Sequence, residues 1–390
     1  MQNIKPKICF VALENFPALI GNPKFGRIGG AEIQQALIGR ELKKRGYEVS
    51  FITLDHGQDE KKEIDGIRII KAYPQNGGIK TLRFLHPRLT SLWHAMKKAD
   101  ADIYYQRTSD SVTGIVATFC RRYHKKFVFA AASNCDCMSD LPLCPAKHAQ
   151  LFFHYGLRRA NLVIAQTMTQ QKLLRKNFHV GSFVIPNSVL DYSQFPGKSF
   201  DKITISGKCL LWIGKFAPVK RLELLLDVAE QLEDLHFNVV GDGNGETTYV
   251  QGLKMRAKSL PNVHLHGNVP HTNMHQFYLQ TSILISTSSA EGFPNIFLEA
   301  WSHGLPVVTT FDPEGIVATN GLGIVGKGVS ELTDGIRELL YSPKQWHKAS
   351  QSARLYYLQN HTIEKVMDRL EQVLNELIYS KEKNSDGVKV

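Results

Sequence analysis

Short apolar runs alternate with longer amphipathic stretches along almost the whole chain. In the first half, residues 8–13, 48–54, 67–72, 103–105, 127–131, 162–165 and 183–185 read as strands. Residues 31–45, 111–123, 151–160 and 169–177 read as helices between them, with a basic helix ahead of residue 103. In helix 31–45, Ile33, Leu37, Ile38 and Leu42 recur at helical spacing, and Gly46 is a stop signal. The second half repeats the pattern, with strands at 209–213, 237–240, 263–266, 282–286, 306–309 and 323–325. Its helices are predicted at 221–235, 248–259, 274–280, 294–303, 330–340, 343–359 and 362–379. Strands alternating with helices predict parallel sheets covered on both faces. A stretch rich in Pro, Ser and Gly, 187–203, separates the halves. The expected organisation is α/β, two doubly wound Rossmann-like domains at 1–190 and 191–360, then a helix and polar tail at 361–390. Ligands in such sheets bind beyond the carboxyl ends of the strands, and two facing sheets would make an interdomain cleft.

The length of 390 residues suits two cores. With 43% apolar and 21% charged residues, the disordered and fibrous classes are excluded. No window approaches the ~18 uncharged apolar residues of a spanning helix. The apolar run 8–13 is short for a signal-peptide core, so it reads as a first strand and the chain as cytoplasmic. Cys135, Cys137, Cys144 and His148 lie close together, but their spacing is not a common zinc pattern. They read as ordinary thiols and a histidine. Asp100-Ala101-Asp102 follows the basic helix and reads as its cap rather than as a metal site. No metal is expected.

Charge divides the chain unevenly. Residues 1–190 hold 28 basic and 14 acidic groups, a net +14; the remainder hold 19 and 22, a net −3. Between 80 and 98, Lys80, Arg83, His86, Arg88, His94, Lys97 and Lys98 interleave with Leu82, Phe84, Leu85, Leu89, Leu92, Trp93 and Met96. Interfacial helices mix residues in this way. Residues 121–126 form a second basic block. Together they predict docking to an anionic membrane surface. No recognised nucleic-acid module accompanies them, so nucleic acid is not an expected partner.

Three constellations fall at predicted strand ends. After strand 209–213 come Gly214, Lys215, Lys220 and Arg221, a glycine followed by cations that suit a diphosphate. After strand 282–286, Glu291-Gly292-Phe293-Pro294-Asn295 leads into a helix carrying Glu299. Pro294 suits a first helical position, and the helix start suits a phosphate. Glu291 is placed to accept from sugar hydroxyls, and Glu299 to reach a ribose diol. The third is Gly29-Gly30 before helix 31–45, where the backbone can approach a phosphate or acceptor. It does not match G-x-G-x-x-G, and no Walker A sequence occurs. Gly241-Asp242-Gly243 is a further tight turn at a strand end.

In these residues the chain resembles the retaining GT-B glycosyltransferases of family 4. Glu291 through Glu299 matches that family's E-x7-E element, Lys215 and Lys220 its paired basic residues, and Gly29-Gly30 its first-domain glycine loop. The resemblance implies a GT-B fold, an acceptor-binding domain at 1–190 and a donor-binding domain at 191–360. It also implies a last helix that returns to the first domain. It implies a hexosyltransferase using a nucleotide-diphosphate sugar, UDP-linked by default, without metal or cofactor. Lys215, Lys220 and Glu291 would be catalytic. Gly214, Arg221, Gly241, Gly243, Val269, Gly292, Phe293, Pro294, Asn295 and Glu299 would hold the donor, with base contacts to backbone near 267–269. Where many relatives carry a histidine, this chain has the segment containing Asn134 and Asp136; with Gln106 and Arg107 these are candidates on the acceptor side. The expected acceptor is a lipid-linked glycan or polysaccharide at the inner membrane face. The alternatives are a nucleotide-sugar 2-epimerase of the same fold and a non-catalytic membrane adaptor.

Overall fold

The structure is a computed structural model that describes residues 5–26, 28–60, 62–78, 84–191, 208–243 and 247–379. Lys80, Leu82 and Arg83 of the basic stretch, most of the 187–203 linker and the polar tail from Ser380 lie outside the described residues. The chain divides into two compact units: Met1–Asn187 with Glu364–Val390, and Ser188–Ile363.

The first unit runs β1 (Lys7–Val11), α1 (Phe16–Ile20), α2 (Gly30–Lys44), β2 (Glu48–Thr53), β3 (Glu63–Ile64) and β4 (Ile67–Lys71). It continues through α3 (Thr90–Ala99), β5 (Ile103–Arg107), α4 (Ser111–Arg122), β6 (Lys126–Ala130), α5 (Lys147–Leu157), β7 (Leu162–Ala165), α6 (Met168–Phe178) and β8 (Phe183–Val184). Among the described residues the strands form one sheet, ordered β3-β4-β2-β1-β5-β6-β7-β8. All pairs are parallel except β3 with β4. The central strands are buried almost throughout, as sheets covered on both faces require. Phe10 of β1 stacks on Phe51 of β2 with centroids 4.5 Å apart.

The basic stretch before β5 is shorter as a helix than the charge pattern suggests. Residues Phe84–Leu89 form an irregular turn, with His86 extended at φ −136°, ψ 126° and a cis His86–Pro87 bond, and α3 begins only at Thr90. Leu92 and Met96 are fully buried in the core of the unit. Much of the apolar side of α3 is therefore held by its own domain rather than offered to an interface. Arg121 and Arg122 are exposed at the end of α4.

The second unit runs β9 (Cys209–Ile213), α7 (Leu222–Gln231), β10 (His236–Val240), α8 (Thr248–Ser259), β11 (Val263–Gly267), α9 (Met274–Leu279) and β12 (Ile283–Ser286). It continues through α10 (Asn295–Ser302), β13 (Val307–Thr309), α11 (Ile316–Asn320), β14 (Gly323–Val325), α12 (Val329–Tyr341) and α13 (Pro343–Asn360). The sheet order among the described residues is β11-β10-β9-β12-β13-β14, all parallel. Trp301 and Trp346 are fully buried, one on each side of the sheet's core. Asp191, after the end of the first unit, pairs with Arg354 of α13 at 2.9 Å, and Tyr357 donates to the Val189 carbonyl.

The last helix, α14 (Ile363–Tyr379), lies almost wholly in the first unit. Arg45 anchors it through Asp368 at 2.7 Å and Glu371 at 2.6 Å, and Lys5 reaches Glu371 at 2.9 Å. Arg45 is largely buried. Burial alone would lower its pKa, but the bonds to Glu371 and Asp368 leave it raised.

Candidate active site

The strand order of the second unit reverses between β9 and β12. Doubly wound sheets bind ligands at such a point, beyond the strand ends. Lys215 lies two residues after β9, and its Nζ is buried with no hydrogen-bond partner among the described residues. An unpartnered buried amino group is costly, and an anion is its natural complement. Five residues on, Lys220 takes the opposite course: its ammonium is ion-paired with Glu291 Oε1, the loop residue after β12.

The loops carrying these two residues are stitched together. Thr287 Oγ1 donates to the Lys220 carbonyl at 2.7 Å and accepts from Trp212 Nε1 at 3.0 Å. The Ser289 N–H donates to the Val219 carbonyl at 2.9 Å. Arg221 closes the turn in a left-handed conformation and leads into α7. Beside them, Gly241 N–H donates to the Gly267 carbonyl at 2.8 Å, joining turn 241–243 to the backbone before Val269. Gly241 has φ +129°, and a Cβ there would collide with the Gly214 carbonyl, so only glycine fits. Gly243 N–H donates to Asp242, whose carboxyl Lys254 holds below its usual range.

Glu291 and Gly292 are half-buried, and Phe293 packs against Trp301 and His361. Pro294 stands one position before the helix rather than in it: α10 starts at Asn295, with Pro294 at φ −69°, ψ 113°. A helix start favours anions at this loop.

Glu299, on α10, is only 6% exposed. Its Oε1 meets His271 Nε2 at 3.0 Å, and its Oε2 accepts from the Tyr278 hydroxyl at 2.7 Å. Burial pushes the carboxyl up, but the hydrogen bond and charge of His271, then the Tyr278 bond, leave it below its usual value. Burial pushes His271 down, but Glu299 more than compensates and raises it. Behind them, His303 Nδ1 lies 2.7 Å from the Glu299 carbonyl. A carbonyl only accepts, so Nδ1 carries the proton. His271, Tyr278 and His303 belong to no motif of the sequence.

In the first unit the order reverses between β1 and β5. The loop after β1 leads to Gly29, whose N–H donates to Glu32 Oε2 at 2.9 Å, and α2 begins at Gly30. Arg107 ends β5, 6% exposed; it donates to Asn187 at 3.1 Å while its Nε has no partner among the described residues. The next residue, Thr108, has φ +77°, a strained setting for a β-branched side chain.

Two of the candidates here prove structural. Gln106 donates to the carbonyls of Arg107 and Thr108 and accepts from Thr113, so all its groups are engaged. Asp136 is 1% exposed; its oxygens accept from the Ser109 N–H and hydroxyl and from the Ala132 and Ser133 N–H groups. Both are turned inward by these bonds. Arg107 and, on the short helical turn after β6, Asn134 remain.

Cys137 and Cys144 are buried, and burial raises both thiols. No group of three or more His, Cys, Asp or Glu among the described residues could hold a metal. Asp100 ends α3 in a left-handed conformation, and Asp102 accepts from the Lys7 N–H at 2.9 Å.

Two Rossmann-like units, with a lysine pair and a glutamate at the second switch point, define the GT-B class of α/β protein. The Glycosyltransferase Family 4 model matches residues 28–189, and the Glycosyl transferases group 1 model matches residues 207–342. The chain belongs to glycosyltransferase family 4. It is 27% identical over 219 residues to a protein of Haemophilus influenzae named "Uncharacterized glycosyltransferase", covering 54% of this chain and 58% of that one. It is 23% identical over 355 residues to a component of the human phosphatidylinositol N-acetylglucosaminyltransferase, covering 82% and 67%. The chain thus spans about six-tenths of the length of these curated relatives. Among solved structures, HepE of Anabaena in complex with UDP and glucose superposes with TM-score 0.74 at 18% identity, over 95% of this chain and 100% of that one. No helix among the described residues is long and apolar enough to cross a membrane.

Proposed function

We propose that the protein is a retaining hexosyltransferase. It moves a sugar from a UDP sugar to a lipid-linked or polysaccharide acceptor at the cytoplasmic membrane face, without a metal ion. The observation that carries this reading is Lys215, a buried amino group lacking a partner, beside the Lys220–Glu291 pair and the start of α10. That arrangement suits a diphosphate. Relatives named N-acetylglucosaminyltransferases support a nucleotide-sugar donor, and the phosphatidylinositol-directed ones support a lipid-linked acceptor. Neighbours solved with UDP support the base.

The diphosphate binds Lys215 and Lys220. As it takes Lys220, the Glu291 carboxylate becomes available to the sugar hydroxyls. The ribose meets Glu299 with His271, and the base lies along backbone at 267–269. The bond from the sugar's anomeric carbon to the phosphate oxygen breaks, and the acceptor oxygen bonds on the same face. The acceptor proton passes to the departing phosphate oxygen, so no protein base is required. Both lysines stabilise the negative charge that develops on that phosphate. Arg107, Asn134 and the Gly29-Gly30 loop are the acceptor-side groups.

The test is product formation from UDP-glucose and UDP-N-acetylglucosamine with a membrane-lipid acceptor extract, followed by mass spectrometry. Product is expected with one donor, undiminished by a chelator, and turnover of Glu291→Gln is expected to fall roughly 100-fold. An isomerised sugar formed without acceptor would mean an epimerase. Absence of product with every nucleotide sugar tried would contradict the proposal.

A further inference from the structure

Two cavities flank the start of α3 in the first unit and meet at Thr90. One, of about 440 Å³, is charged: Lys71, Lys98, His86 and His94 face Asp55 and Glu60. The other, of about 470 Å³, is apolar and lined by Leu89, Trp93, Ile115 and Phe152 with the methyl-bearing Thr90 and Thr118. Ser91, His94 and Lys98 share one stripe of α3, and Leu89 and Trp93 the adjacent one, so a single helix turns a cationic side and a greasy side to neighbouring cavities.

In the charged cavity, Lys98 holds Glu60 at 2.6 Å and Lys71 holds it at 3.5 Å. The Glu60 side chain is 65% exposed, so two lysines converge on a carboxylate able to swing into solvent. It occupies the place an anionic ligand would take. Around the apolar cavity, Phe84 meets Phe152 at 5.3 Å, and their sequence neighbours Leu85 and Leu151 are 56% and 70% exposed. Large apolar side chains are thus left in solvent beside a groove already lined by others.

We propose that the two cavities form one site for a phosphate-bearing lipid, with the phosphate displacing Glu60 from Lys71 and Lys98 and the hydrocarbon chain lying along Leu89, Trp93 and Phe152. A lipid phosphate joins an anionic head to an apolar chain, the same juxtaposition the cavities present. The excess positive charge of residues 1–190 draws such a lipid toward this unit. This deepens the lipid-linked acceptor reading and rests on it for its role in the reaction, while the binding itself stands apart from the donor site.

The test uses the full chain and phosphatidylcholine vesicles carrying a long-chain alkyl phosphate brominated along its chain. Of the four tryptophans, Trp93 alone lies in the first unit; Trp212, Trp301 and Trp346 are buried in the second. Bromine quenching therefore reports occupancy of the groove, and Trp93→Phe should abolish it. The alkyl phosphate is expected to quench, with Lys71→Gln/Lys98→Gln raising the half-saturating concentration roughly thirtyfold. Glu60→Gln, which removes the competing carboxylate, should lower it. Equal quenching by the matching brominated alcohol would overturn the proposal. So would an unchanged double variant, or inorganic phosphate holding the site as well as the alkyl phosphate does. An unchanged circular-dichroism spectrum and thermal melt in every variant certify the fold. Loss of UDP binding in the wild type with quenching intact would sink the donor reading alone.

Discussion

Lys215 and Lys220 are five residues apart, yet one has a protein partner and the other has none among the described residues. The difference defines a site prepared for charge on one lysine and able to exchange it on the other. His271 extends the site by a contact that titrates. Its raised pKa means that its ion pair with Glu299 stabilises fully below the ordinary histidine value of 6.5 and is lost as pH rises through the raised value. Glu299, lowered from 4.5, contributes above that value and loses its contribution as pH falls through the depressed one. The pair is therefore strongest in mildly acidic solution. Thermal unfolding of wild type and His271→Ala from pH ~5 to ~9 should show a gap that narrows toward the alkaline end. A gap independent of pH would mean that the histidine acts by packing alone. These partners were hidden in the sequence because His271 and Tyr278 stand 28 and 21 residues from the glutamate they hold.

At the scale of elements, chemistry concentrates in loops that hydrogen bonds from distant residues hold in place. Asp136 fastens the loop after β6 to the loop after β5, 27 residues earlier. Asp136→Asn replaces one acceptor oxygen with an amide facing N–H donors. It should destabilise the first unit by about 3 kcal/mol in urea unfolding. A change under about 0.5 kcal/mol would show that the loop closes without it. The residue type of Asp136 alone suits a ligand contact as well as a fastening, and only its hydrogen bonds to Ser109, Ala132 and Ser133 decide between them. Strand positions were more legible: 209–213 and 162–165 are reproduced as Cys209–Ile213 and Leu162–Ala165. Their apolar runs are continuous because both faces are covered. Helix α1 escaped notice because Phe16–Ile20 is too short to show a period, and β3 because Glu63–Ile64 has only two residues. In α3 the mixture of basic and apolar residues predicts an interfacial helix, and the fold turns part of that mixture inward. Leu92 and Met96 are buried in the unit's own core while Leu89 and Trp93 line a cavity, a division that tertiary packing decides.

For the whole molecule, the division into two α/β units follows from repeated strand and helix patterns, and the last helix belongs with the first unit through Arg45, Asp368 and Glu371. The motif residues Lys215, Lys220, Gly241 and Glu291 come together at one switch point because they follow neighbouring strands of the same parallel sheet. The central claim is that this switch point binds a nucleoside diphosphate. The most direct measurement is thermal stabilisation of the whole chain by UDP, GDP, ADP and CMP, with Lys215→Ala and Glu299→Ala alongside. Ligand at 100 times its Kd should add about 2.7 kcal/mol. The account predicts stabilisation of the wild type by UDP, with the shift strongly reduced in both variants. No shift with any of the nucleotides, or an equal shift in Lys215→Ala, would contradict it.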